Sequence, residues 1–194
     1  MNDNLASKDE PCREPWREEL IAGKLVAMAP AVLNHNRVKR NITGLLDTYL
    51  SGRECEALPD GTAVFLSETD YYFPDAMVVC DPEKLKWDGV HGAPDLVAEV
   101  LSPSTMKNDR GRKMRVYEFC GVREYWLVNP KEKSLEHYVL SDGRFELAGI
   151  YLLYSPSDLE TLTEDDKAAI QTEFKCSLYD DLTIRLEDVF RRVP

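Results

Sequence analysis

The sequence predicts a mixed α/β (α+β) domain, a β-sheet with helices packed against it. Three observations carry this. The run Pro94–Leu101 is apolar on both faces, Leu96, Ala98 and Val100 on one side and Val97 and Leu101 on the other. Such a run belongs to a strand covered above and below. Two stretches of helical spacing, one before it and one directly after, alternate with short apolar segments bounded by Pro, Gly and Asp, the punctuation of strands.

Residues 1–14 read as a flexible polar segment, leaving 15–194 as a single domain. Glu19–Met28 holds a Gly between two apolar runs and reads as a hairpin. After Pro30, Val38, Ile42, Leu45, Leu46 and Tyr49 form a core-facing helical stripe, with Asn34 or Asn36 as the expected cap and Gly52 as the stop. Cys55–Leu58 and Thr62–Leu66 flank the turn Pro59-Asp60-Gly61, giving two strands. Phe73–Asp81 is the next strand, and Lys84–Gly92 reads as a loop exposing Trp87. Beyond Pro94–Leu101, Ser102-Pro103-Ser104 bends the chain into a helix from about Met106 to Cys120, ended by Gly121. Arg123–Val128 is a strand, and Ser134–Leu140 with Arg144–Tyr151 forms a hairpin around Ser141-Asp142-Gly143. Residues 155–176 read as an acidic, mostly exposed segment. Thr183–Phe190 is expected to dock by Ile184, Leu186, Val189 and Phe190.

A chain of 194 residues with 43% hydrophobic and 30% charged content fits a soluble domain with a full core. No apolar run approaches bilayer-spanning length, and the N-terminus lacks the apolar core of a signal peptide. The five cysteines (Cys12, Cys55, Cys80, Cys120 and Cys176) are scattered without a CxxC pair. Cys80, after the apolar run Met77–Val79, and Cys120, on a helix, read as packed thiols in a cytoplasmic protein, with neither a disulfide framework nor a zinc site. The net charge of −11 argues against a broad basic surface that coats nucleic acid. It leaves room for a local one, because Lys107–Arg115 carries five cations and one anion.

The chemistry concentrates on carboxylates in apolar strands. Glu99 sits inside the buried run, where an unpaired carboxylate would cost several kcal/mol. Asp75 opens the preceding strand and could stand beside Glu99 if the two strands are neighbours, whereas Asp95 lies about 13 Å away along the same strand and reads as structural. Two convergent carboxylates completed by water suit Mg²⁺. The following helix presents Asp109, Lys113 and Tyr117 on one face. Lys113 could then orient an attacking water and stabilise charge developing on a phosphate. Plainer readings stand beside these. Glu99 could pair with a cation of the neighbouring helix, Asp75 could be a turn residue after Pro74, and Asp109 and Lys113 an exposed ion pair. Tyr117 could be packing with its hydroxyl near the site, and Glu124, Tyr125 and Trp126 core or dimer contacts. His35, at the first turn of the first helix, reads as a solvated or capping residue, or as a group positioning a phosphate or metal-bound water.

The order Pro74-Asp75, Glu99-Val100-Leu101-Ser102-Pro103-Ser104, Asp109, Lys113, Tyr117 and Gly121-Val122-Arg123-Glu124-Tyr125-Trp126 resembles the Uma-type endonucleases of the PD-(D/E)XK superfamily. The resemblance covers roughly Leu20 to Tyr154 and Cys176–Phe190. It implies a restriction-endonuclease-like mixed sheet flanked by helices, Mg²⁺ (or Mn²⁺) as cofactor, DNA as substrate, and phosphodiester hydrolysis. Asp75 matches the Asp of the PD motif and Glu99 the acid of (D/E)XK, both as metal ligands, with the carbonyl of Val100 as a third. Leu101 stands where the superfamily has its lysine, and Lys113 is expected to reach the site from the helix instead. A homodimer would suit two-strand cutting. The alternative is a catalytically inactive nuclease-fold module that binds nucleic acid or protein.

Overall fold

The computed structural model describes residues 17–194. The segment 1–14, expected to be flexible, lies outside the described residues, as does Cys12.

Two six-stranded mixed sheets form the body of the molecule. The chain starts with the hairpin β1 (Glu18–Ile21) and β2 (Lys24–Ala27), then α1 (Leu33–Leu50), β3 (Glu56–Pro59), β4 (Val64–Ser67), β5 (Asp70–Tyr72) and β6 (Ala76–Val79). The expected loop at Lys84–Gly92 is instead a small hairpin, β7 (Leu85–Lys86) and β8 (Gly89–His91), with Trp87 fully exposed at its tip. The long apolar run is β9 (Leu96–Val100), buried at every position. After it come α2 (Met106–Asn108), a π-turn at Asp109–Lys113 and α3 (Met114–Cys120). The predicted single helix therefore holds one wide turn, a feature often found at functional sites. Gly121 ends α3 at φ +88°, a left-handed cap that lets its own N–H reach back to Glu118.

β10 (Glu124–Asn129), β11 (Ser134–Ser141) and β12 (Arg144–Leu152) complete the second sheet, whose order is β12-β11-β10-β9-β6-β3. Within it β9 runs parallel to β10 and antiparallel to β6. The first sheet has the order β2-β1-β5-β4-β8-β7. Pro59-Asp60-Gly61 is thus no hairpin turn: it passes the chain from one sheet to the other.

The acidic segment folds into α4 (Pro156–Glu160) and α5 (Glu164–Ala169), each opened by a capping box, from Ser155 with Asp158 and Thr163 with Asp166. It ends in β13 (Glu173–Lys175), which pairs with β14 (Thr183–Arg185) and buries Phe174, so its last residues are core rather than exposed. The chain closes with α6 (Leu186–Val189), docked as expected by Ile184, Leu186, Val189 and Phe190.

Alternation along β9 divides the core in two. Leu96, Ala98 and Val100 pack with Val38, Ile42 and Leu46 of α1 and with the C-terminal elements. Val97 and Leu101 pack with Tyr117 of α3 and with Ile21, Val64, Tyr72 and Val90 of the first sheet. Tyr125 and Trp126 are buried in these clusters, core residues and not surface contacts.

Two further expectations are corrected. Helix α1 starts after Val32 with no side-chain cap, and Asn34 instead accepts a hydrogen bond from Arg37. Cys55 and Cys80 form a disulfide. Pairing of β3 with β6 in the register Glu56↔Val79 sets the two cysteines opposite each other, and spacing along the chain gives no hint of it. Cys120 is free and half-buried, and Cys176 is free and buried.

Candidate active site

Strand register sets Asp75 level with Glu99. β6 and β9 pair with Ala76 opposite Ala98, which carries Asp75, one residue earlier, to the level of Glu99. The Val100 N–H donates to Asp75 Oδ2 at 2.7 Å, fixing this carboxylate against the edge of β9. Nε2 of His35 lies 3.5 Å and Nζ of Lys39 3.7 Å from the Asp75 carboxylate, both projected from α1. Lys39 also donates to Asp60 at 2.8 Å.

Glu99 points into the second core, toward the helix that follows β9. Its Oε1 accepts from Lys113 Nζ at 3.2 Å and from the Tyr117 hydroxyl at 2.9 Å. Among the described residues, Oε2 accepts no hydrogen bond. Lys113 is not the exposed partner of Asp109 that spacing alone would allow. It is 4% exposed and surrounded by three carboxylates, Glu19 at 2.8 Å, Glu99 at 3.2 Å and Asp109 at 3.6 Å. The π-turn places Asp109 and Lys113 on the buried side together with Tyr117.

The electrostatics follow from burial. Burial pushes Asp75 up to about 7, against the Val100 N–H and Lys39 that pull it down. Burial also holds Glu99 well above the usual carboxylate range; Lys113 opposes this, and the nearby Asp109 and Asp75 add to it. Lys113 would lose its proton more readily through burial alone, but Glu99, Glu19 and Asp109 hold it as an ammonium. Burial and the neighbouring Lys39 push His35 down to about 4, so the imidazole is neutral beside Asp75. Its Nδ1 is buried with no hydrogen-bond partner among the described residues. Three carboxylates (Glu19, Glu99 and Asp109) therefore share one buried ammonium, while Asp75 faces Lys39 at the rim.

That excess of negative charge, together with an all-oxygen donor set, fits a hard divalent cation. No three His, Cys, Asp or Glu side chains among the described residues are arranged to hold an ion between them. A cation here would rest on two carboxylates, a backbone carbonyl and water. Beside Asp75 opens a groove of about 570 Å³ lined by Asn36, Lys39, Arg40, Thr43 and Asp60.

The structure thus brings Asp75, Glu99, Lys113, Asp109, Tyr117 and His35 into one region, with Val100 between the two acids. His35 is buried, not solvated, because α1 lays its first turn against the end of β9. Leu101 is buried in the apolar cluster with Val97 and Tyr117. Asp95 is structural, accepting from Cys80 N–H at 2.8 Å. So is Glu124, fully buried and holding Trp126, His137 and Ser177. Sequence reasoning missed Glu19 and Lys39. The signal for Glu19 was present: it alternates with Leu20 and shares its inward face with Ile21.

Comparison with known proteins bears on the fold and the family. A solved structure described as a "putative nuclease belonging to DUF820" from Anabaena variabilis superposes with a TM-score of 0.62 at 16% identity, covering 89% of each chain, and so shares the fold. Two uncharacterized proteins of Synechocystis sp. are similar in sequence. One, sll1609, is 30% identical over 126 residues, 63% of this chain and 71% of its own; the other, slr1290, is 32% identical over 132 residues, 67% and 70%. The family model Uma2, described as "Putative restriction endonuclease", matches residues 9–171. The chain belongs to the Uma2 family, whose nuclease-like fold it carries.

Proposed function

We propose that the protein is a metal-dependent endonuclease that hydrolyses DNA phosphodiester bonds. The observation that supports this most is the approach of Lys113 Nζ to Glu99 at 3.2 Å from the helix after β9, with Asp75 tied to the neighbouring Val100 N–H. Asp75 and Glu99, with the Val100 carbonyl, would hold Mg²⁺ or Mn²⁺. Bound there, the ion would activate water and offset charge on the phosphate.

The chain's own residues do the rest. Lys113, a permanent ammonium, orients the nucleophilic water and stabilises the oxyanion that develops on phosphorus. The Tyr117 hydroxyl fixes Oε1 of Glu99, which leaves Oε2 as its ligating oxygen. Neutral His35 offers a hydrogen bond to water beside Asp75. Lys39 and Arg40 line the groove through which a phosphate backbone would reach Asp75. Lys113 thus takes the task of the lysine that Leu101 replaces.

One observation favours a second reading, binding without cleavage: the net charge of −11 disfavours a tight hold on a polyanion and with it productive turnover. Plasmid nicking with Mg²⁺ or Mn²⁺, comparing the wild type with Glu99→Ala, decides. Nicking abolished by the substitution supports the endonuclease. Nicking that persists unchanged overturns the site, and DNA binding without nicking by the wild type supports the binding module.

A further inference from the structure

The Lys113 ammonium has a nearer partner than Glu99. Glu19 comes from β1 of the other sheet, and its Oε1 lies 2.8 Å from Nζ. The same oxygen accepts from the Phe73 N–H at 3.0 Å, so the carboxylate is anchored to backbone and cannot follow the lysine. Glu19 is itself buried, 6% exposed, beside the apolar residues that join the two sheets. An ammonium has three donors, and here three carboxylates face it. A cation on Glu99 would repel that ammonium, which could leave Glu99 only for a place already lined with negative charge.

We propose that Glu19 is a positioning residue of the metal site: it retains the Lys113 ammonium when Glu99 turns to a divalent cation, so that amine and metal occupy the site together. The inference rests on the metal-dependent reading above. Glu19 touches neither substrate nor ion. It acts through Lys113, from a strand that the nuclease motifs do not include. Without its charge the ammonium closes on Glu99 and competes with the cation for that carboxylate.

The test is Mg²⁺ binding by isothermal titration to the wild type, Glu19→Gln, Lys113→Gln and the double variant, with the buried lysine ammonium followed by ¹H–¹⁵N NMR. Glu19→Gln keeps the side-chain volume and an acceptor for the Phe73 N–H. It is expected to weaken Mg²⁺ binding about 10- to 100-fold, the range seen when groups that orient metal ligands are removed. In the Lys113→Gln background the same change is expected to have little effect, because the competing ammonium is gone. In the wild type the ammonium resonance should persist when Mg²⁺ saturates the site.

Wild-type affinity in Glu19→Gln overturns the inference. An equal loss in both backgrounds overturns it too, by making Glu19 a ligand. Should either variant fail to fold, the wild-type spectrum decides: a resonance lost to solvent exchange on Mg²⁺ addition overturns the proposal, and one that persists supports it. A wild type that binds no divalent cation overturns the metal-dependent reading itself, and this inference with it. That outcome is distinct from normal wild-type binding with no effect of Glu19→Gln.

Discussion

Replacing Lys113 by Met removes the only cation among the described residues that pairs with Glu99 and Asp109 in the buried cluster, and leaves Glu19 without its 2.8 Å partner. The isosteric stem keeps the packing, so the change isolates the charge. Removing one partner of a buried ion pair costs about 3–5 kcal/mol, because the group left behind stays desolvated and uncompensated. Against a total stability of about 5–15 kcal/mol the variant should still fold, with a clearly lowered urea midpoint. Trp126, 1% exposed in the core, reports the transition by fluorescence. The pH dependence has a definite sign. Glu99 and Asp109 already sit above the usual carboxylate range through burial, and Lys113 is what holds them down. Without it they rise further, and the folded chain binds more protons than the unfolded one. The deficit should therefore be full above neutral pH and shrink as pH falls toward about 4, where both states become protonated. A loss below about 1 kcal/mol that does not change between pH 8 and pH 5 would refute the reasoning, since mutational costs of that size are ordinary at any site.

Two other features give measurable outcomes. Asp70 is buried, which alone would raise its pKa, but hydrogen bonds from Arg112, Tyr72, the Ala22 N–H and Thr69 hold it well below the usual range. Its stabilisation is present above the unfolded-state pKa and lost as pH falls below about 4. Asp70→Asn should cost about 2 kcal/mol at pH 7, with Arg112 partly solvated, and flatten the acid limb of a stability–pH profile. The Cys55–Cys80 bridge closes a span of 25 residues, worth about 3 kcal/mol in chain entropy. Reductant should lower the thermal midpoint of the wild type and leave a Cys55→Ala, Cys80→Ala chain unchanged.

Much of the active-site region is legible along the chain. Glu99 stands out because a carboxylate amid Leu96, Val97, Ala98 and Val100 has no local reason to be there. Lys113 and Tyr117 follow at helical spacing, which puts them on one face of whatever the helix covers. What spacing misses are partners set by pairing between distant segments. Glu19 lies 94 positions before Lys113 and on the other sheet. Cys55 and Cys80 meet only because β3 runs antiparallel to β6. His35 reads from the sequence either as a solvated or capping residue or as a group near a phosphate or metal-bound water, and its burial depends on where α1 lands on the sheet.

The sequence by itself determined the long strands, the two main helical stretches and the acids that stand out among apolar neighbours, since side-chain alternation and helical spacing are local properties of the chain. Only the tertiary structure decided that one lysine answers three carboxylates and that Asp75 lies level with Glu99. Those facts are set by strand register and by the packing of two sheets, where a shift of one residue would turn every side chain to the opposite face.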